Sequence, residues 1–129
     1  MSSPLGLSRI GQIAVTVRDV SRAIAFYKDI LELPHLFTAG PLAFFNCGGV
    51  RLMLSVPEKP ELNHASSILY FQVTDIRTAC DTLTQRGVRF EDNPHLIARM
   101  PDHDLWMAFF RDSEHNLLAL MSEVPRPSG

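Results

Sequence analysis

The sequence predicts an α+β protein: two tandem β-α-β-β-β modules forming a curved, partly closed sheet around a concave cavity. Three observations lead to it. Val17-Arg18-Asp19-Val20-Ser21-Arg22-Ala23 and Val73-Thr74-Asp75-Ile76-Arg77-Thr78-Ala79 both read V-x-D-[VI]-x-x-A, at an offset of 56 residues. Leu52-Met53-Leu54-Ser55 matches Leu118-Ala119-Leu120-Met121 at an offset of 66, so the second module holds about ten extra residues before its last strand. In both halves an apolar strand pattern leads into a helical one, and the order of elements repeats. The 129 residues fit one domain at ~150 residues per domain. Module one spans about 8–56, a linker 57–66 and module two about 67–123.

Module one opens with a strand over Ile10–Val17, in which Ile13, Val15 and Val17 alternate with Gln12, Ala14 and Thr16. Asp19 is placed to cap a helix, and Val20, Ala23, Ile24, Tyr27, Ile30 and Leu31 recur at helical spacing over about 12 residues. Pro34 prevents continuation. Strands follow at His35–Thr38, Leu42–Asn46 and Val50–Val56, separated by the turns Ala39-Gly40-Pro41 and Cys47-Gly48-Gly49. The polar, proline-containing stretch 57–66 reads as a connector. Module two repeats the scheme with a strand over Ile68–Val73 and a helix capped by Asp75 and closed by Gly87. Its later strands are expected at Val88–Glu91, His95–Met100, Leu105–Arg111 and Asn116–Ser122, and the tail Pro125–Gly129 is expected to be loose. The helices should cover the face bearing Ile13, Val15, Val17, Leu69, Phe71 and Val73. The opposite face then lines a cavity of the kind that suits small molecules.

Composition narrows the function. Hydrophobic residues are 46% and charged residues 20%, and the net charge is −2, so no basic footprint points to nucleic acid. No apolar run approaches the ~20 residues of a membrane span. The opening MSSPLGLSRIGQ has neither a basic start nor a long apolar stretch, which argues against a secretory signal. Cys47 and Cys80 form no CxxC or zinc spacing; free thiols and a cytoplasmic location are the expectation.

Three stretches resemble the vicinal oxygen chelate superfamily, which groups glyoxalase I, extradiol dioxygenases, fosfomycin-resistance transferases, methylmalonyl-CoA epimerase and bleomycin-resistance proteins. IGQIAVTVRDVSRAIAFYKDILEL is similar to its opening strand and helix, FFNCGGVRLMLS to its glycine-turn hairpin, and FFRDSEHNLLALMSE to its closing hairpin, usually built on D-P-D-G-N. The resemblance covers about Ser8 to Glu123 and implies the fold without fixing a reaction. It also implies a homodimer, since the family commonly pairs modules across a two-fold interface.

Most such enzymes polarise a substrate oxygen with a divalent metal held by one ligand on each of four strands. The resemblance places those ligands at Gln12, Met53, Ile68 and Ala119. The offset of 56 links Gln12 to Ile68 independently. A divalent ion needs N, O or thiolate donors; Gln12 offers an oxygen, Met53 a soft thioether, and Ile68 and Ala119 nothing. No metal and no other cofactor is therefore expected.

By strand parity Gln12, Thr16, Arg51, Ser55, Tyr70 and Gln72 fall on the concave face; a solvated open sheet would show the same residues. Gln12, Arg51 and Tyr70 are taken as substrate-binding, with Arg51 suited to a carboxylate or phosphate. One of Phe44 and Phe45 should face the cavity. His95 and Arg99 share parity on one strand; with His103 and Trp106 they would form an arm closing over the ligand. His95 and His103 are then candidate catalytic bases and Arg99 and Trp106 candidate ligand contacts. A polar surface hairpin with Trp106 as packing accounts for the same residues. Asp19, Asp75 and Asp112 read as two helix caps and a turn, Cys47 as a packing thiol, and His115 as an exposed turn residue. His35 and His64 read as strand-edge and linker positions. Three functions remain: a metal-independent protein or enzyme acting on a small molecule, a drug- or toxin-sequestering protein, and, against the missing donors, a metal-dependent lyase, isomerase or dioxygenase. The bleomycin-resistance members also lack the metal ligands, but bind a large cationic ligand, which Arg51 and Arg99 disfavour.

Overall fold

A computed structural model describes residues 5, 7, 9–57 and 66–126. Residues 58–65 of the expected linker and the last three of the tail lie outside the described residues. The chain divides into two compact units between residues 64 and 65.

Unit one runs β1 (Gln12–Thr16), α1 (Val20–Ala25), a π-helical turn (Phe26–Ile30), β2 (His35–Ala39), β3 (Leu42–Cys47) and β4 (Val50–Ser55). Unit two runs β5 (Leu69–Gln72), α2 (Ile76–Gln85), β6 (His95–Arg99), β7 (His103–Arg111) and β8 (Leu117–Pro125). Each unit is therefore β-α-β-β-β. The sheets have the matching orders β1-β4-β3-β2 and β5-β8-β7-β6, with the first pair parallel and the others antiparallel. The register makes the repeat explicit: Ala14 pairs with Met53 in unit one and Tyr70 with Ala119 in unit two. Moving Ala14 by 56 and Met53 by 66 lands on that second pair, so both sequence offsets hold in three dimensions.

In unit one α1 packs on β3 and β4. α1 buries Ala23 and the π-helical turn buries Phe26 and Tyr27, joining the buried sheet residues Val15, Val17, Ala43, Phe45, Leu52 and Leu54. Full burial of an aliphatic or aromatic side chain of this size stabilises by about 1.5–3 kcal/mol. Asp19 caps α1 by accepting the Arg22 N–H at 3.1 Å. The helix is not regular to Leu31 as the spacing predicts. Leu31 N–H bonds to the Phe26 carbonyl at 3.0 Å, a five-residue step, and the wider turn lets the consecutive aromatics Phe26 and Tyr27 both turn inward. Their rings meet edge to face at 5.6 Å. Gly48 and Gly49, both at positive φ, form the two-residue β3–β4 loop, a conformation open to glycine because it has no Cβ.

In unit two α2 packs on β7 and β8, burying Ile76, Cys80 and Leu83 toward Ala108, Phe110, Leu118 and Leu120. Gly87, at φ 92, ends it: Gly87 N–H reaches the Thr84 carbonyl and Val88 N–H the Leu83 carbonyl, both at 3.0 Å. Three expectations need correction. No strand covers Val88–Glu91; Phe90 makes a single bridge to Phe110. His103 and Asp104, which precede the strand expected from Leu105, begin β7, and Pro125, expected in the tail, ends β8. The added strand length is held by Arg126, whose guanidinium binds Asp104 and the carbonyls of Pro101 and His103.

Candidate functional site

Because Leu52, Leu54, Ala43 and Phe45 point into the core of unit one, their strand neighbours emerge on the face away from α1. One line of side chains there crosses all four strands in spatial order: Gln12 on β1, Arg51 on β4, Phe44 on β3 and Phe37 on β2. Arg51 Nε donates to Gln12 Oε1 at 2.9 Å. The guanidinium carbon lies 5.5 Å from the Phe44 ring centre. Phe44 stacks on Phe37 at 4.5 Å, and Phe37 is 48% exposed. Phe44, not the buried Phe45, is thus the phenylalanine on the free face. The expected pair Gln12 and Arg51 is brought into direct contact. Phe37 was missed by the sequence reading; its alternation is hidden by an irregularity between His35 and Phe37.

In unit two the face away from α2 bears Tyr70, His95 and His103. Tyr70 sits beside Ala119 and meets Phe109 edge to face at 6.1 Å. His95 lies opposite Met107, its Nδ1 3.1 Å from the Asn93 carbonyl and 3.4 Å from an Asp92 oxygen. His103 Nδ1 lies 2.6 Å from Asp102 Oδ1, and its Nε2 is 3.8 Å from a Glu123 oxygen. The hydrogen bond from His103 is the main cause holding the Asp102 carboxyl below the usual carboxylate range.

Arg99 and Trp106 are elsewhere. The register shifts between Leu96 and Ala98, so His95 faces Met107 while Arg99 faces Asp104, on the opposite side of the sheet. The expectation that His95 and Arg99 share a face fails for this reason. Trp106 follows the parity of the buried Ala108 and Phe110 and lies on the α2 side, its ring 5.9 Å from the Arg77 guanidinium carbon. It borders a cleft of about 500 Å³ at the start of α2, together with Thr74, Arg77 and Ser122. Among the four arm residues this cleft takes Trp106; the single closing arm read from the sequence is split across two faces.

The remaining candidates have structural partners. Asp75 accepts the Thr78 N–H at 3.1 Å and its hydroxyl at 2.9 Å, which lowers its pKa. Asp112 is buried and accepts N–H groups from Glu114 and Asn116. Burial raises the thiols of Cys47 and Cys80, the latter to about 11, so neither is an activated nucleophile. His115 is an exposed turn residue at φ 67. His35 lies on the edge strand β2, its Nε2 2.9 Å from the Thr38 hydroxyl; His64 lies outside the described residues.

A metal at the family positions does not fit this chain. Gln12 Oε1 already accepts from a guanidinium, and Gln12 Nε2 lies 3.7 Å from Met53 Sδ. Ile68 and Ala119 have no donor atoms, and Ala119 is fully buried. Among the described residues, no group of three or more His, Cys, Asp and Glu side chains is placed to hold an ion.

Fold and face together define a protein of the glyoxalase type whose unit-one sheet carries a guanidinium and aromatic rings on the face away from its helix. The family model of the glyoxalase/bleomycin resistance protein/dioxygenase superfamily matches residues 9–122, and the chain belongs to that superfamily. It is 30% identical over 126 residues to the Bacillus subtilis protein YraH, covering 84% of this chain and 94% of that one. A superfamily member from Sphaerobacter thermophilus has the same fold at a TM-score of 0.76 and 21% identity, over 91% of this chain and 98% of that one. Lactoylglutathione lyase from Agrobacterium tumefaciens has it at 0.69 and 23%, over 93% and 96%. Among the described residues, no helix is long and apolar enough to cross a membrane.

Proposed function

We propose that the protein binds a small organic molecule on the sheet faces left free of helices, without a metal ion at the family positions. The observation behind this is the Gln12–Arg51–Phe44–Phe37 line. An oriented guanidinium beside part-exposed stacked rings serves no core, and it combines the apolar surface and sparse polar groups of a ligand site. On unit two, Tyr70, on the face away from α2, is likewise proposed as a ligand contact. The test is a thermal-shift and calorimetric screen of chelator-treated protein against small aromatic and aliphatic compounds. Saturable binding that raises the melting temperature is expected; no binding by any compound class would refute the reading. The protein is further proposed to act as a homodimer, and a monomer in sedimentation at high micromolar concentration would refute that.

A second reading makes it an enzyme with His103 as general base. The Asp102 carboxylate can only accept, so its 2.6 Å contact fixes the imidazole proton on Nδ1 and leaves Nε2 to take a proton. His95, which faces a backbone carbonyl and Asp92, is the weaker candidate for that role. Drug or toxin sequestration fits the same face provided the ligand is not a cation, since Arg51 would repel it.

A further inference from the structure

We infer that Arg51 recognises the ligand's charge in this chain, and that the ligand carries an oxyanion, carboxylate or phosphate, on a planar unsaturated group. The inference rests on the small-molecule reading above and specifies its ligand class.

Gln12 and Met53 are the two family ligand positions of unit one, and both are turned to other uses. Gln12 Oε1 accepts from Arg51 Nε at 2.9 Å, and its amide nitrogen lies 3.7 Å from Met53 Sδ. A neutral amide gripping Nε fixes the plane of the guanidinium without neutralising it. The two terminal nitrogens make no hydrogen bond or ion pair among the described residues. A guanidinium held by Nε presents that pair as a fork, the geometry that matches a carboxylate or phosphate edge. The ordering entropy of a long side chain is thereby met before the ligand arrives.

The rest of the ligand is specified by what adjoins the fork. Phe44 lies between the guanidinium and the stacked Phe37, so the row offers ring edges together with the half-exposed Phe37. A planar group attached to the oxyanion would meet those edges edge to face. The charge also selects: a cationic ligand would meet like charge, and a neutral one would desolvate the guanidinium without pairing it.

Calorimetric titration with 2-naphthoate, 2-naphthyl phosphate, 2-naphthalenemethanol and 2-naphthylmethylamine tests this on the wild type, Arg51→Gln, Arg51→Lys and Phe44→Leu. Melting curves establish that each variant is folded; Arg51 is exposed, so Arg51→Gln should remain so. At least one anion should bind about tenfold or more tighter than the alcohol, and the amine more weakly still. The tighter anion identifies carboxylate or phosphate as the source. Arg51→Gln should weaken the anion about tenfold without weakening the alcohol, Arg51→Lys should restore only part of the loss, and Phe44→Leu should weaken both. Alcohol and anions binding equally, or anion binding unaffected by Arg51→Gln, would overturn this inference while leaving the small-molecule reading intact. Failure of all four probes to bind would also overturn this inference, and the small-molecule reading falls with it only if the wider screen above finds no ligand either.

Discussion

Arg126 Nη1 lies 2.5 Å from Asp104 Oδ1, tying the residue after β8 to the second residue of β7. The same guanidinium takes the carbonyls of His103 at 3.2 Å and Pro101 at 3.0 Å, and that of Met100. One side chain thus occupies the acceptors of the β6–β7 turn, beside His103. Arg126→Ala should lower stability by about 1–2 kcal/mol, allowing for a pair that is only partly buried. It should also speed proteolytic cleavage within residues 99–104 while the rest of the chain stays resistant. Urea denaturation within about 0.3 kcal/mol of wild type, with unchanged cleavage, would contradict the clamp.

The closing hairpin gives a paired prediction. Asp112, 5% exposed, accepts N–H groups from Glu114 at 2.7 Å and Asn116 at 2.8 Å, and the Asn116 amide at 3.0 Å. Asp112→Ala removes the acceptor from all of them and should cost about 2–3 kcal/mol. His115 sits in the left-handed region at φ 67, where an L side chain is strained. His115→Gly relieves that strain but adds unfolded-chain entropy, for a net gain of about 0.5 kcal/mol. A stabilising Asp112→Ala or a clearly destabilising His115→Gly in denaturant titrations would refute this account of the turn.

Acid stability should depend on Asp75. Its carboxylate is held below the usual range, chiefly by the Thr78 N–H and then by the Thr78 hydroxyl. A depressed folded-state pKa contributes stability that is fully present above the unfolded value of about 3.9 and is lost as pH falls through the lower folded value. Asp75→Asn keeps a capping oxygen but not the titration. The wild type should melt higher than Asp75→Asn near neutrality, and the gap should close as the pH falls below about 4. A gap constant from neutral to strongly acidic pH would show that the cap works independently of its charge.

The repeat was legible because two offsets, 56 and 66, each preserve strand parity, and the pairing of Ala14 with Met53 and Tyr70 with Ala119 follows from them. Gln12 and Arg51 were legible as members of one face for the same reason. Alternation failed where the backbone departs from it: the bulge at Leu96–Ala98 separates Arg99 from His95, and the π turn at Phe26 adds an inward residue that a 3.6-residue period omits. Trp106 is different. Its parity with Ala108 and Phe110 was available in the sequence, and following it would have placed the indole on the α2 side. Arg126 had no local signal, since its partners are about 22 to 26 residues away in sequence.

The last prediction concerns metal. A stable divalent site needs several N, O or thiolate donors converging at about 2.0–2.6 Å. The inherited positions provide an amide, a thioether, an isoleucine and an alanine, and Gln12 Oε1 is hydrogen-bonded to Arg51. A dication brought to Gln12 would approach that guanidinium. Repulsion between a double and a single positive charge at contact distances amounts to several kcal/mol even at an effective dielectric near 20. Lost hydration would add to this, because Ile68, Ala119 and Met53 cannot replace bound water. Chelator treatment should therefore leave the melting temperature, and the affinity for any ligand bound at Arg51, unchanged. Elemental analysis should find less than a stoichiometric amount of metal in purified protein. Arg51→Gln should not create affinity for zinc or manganese, since removing the repulsion supplies no donors. One metal per chain in purified protein, with a chelator-dependent melting temperature, would overturn the prediction.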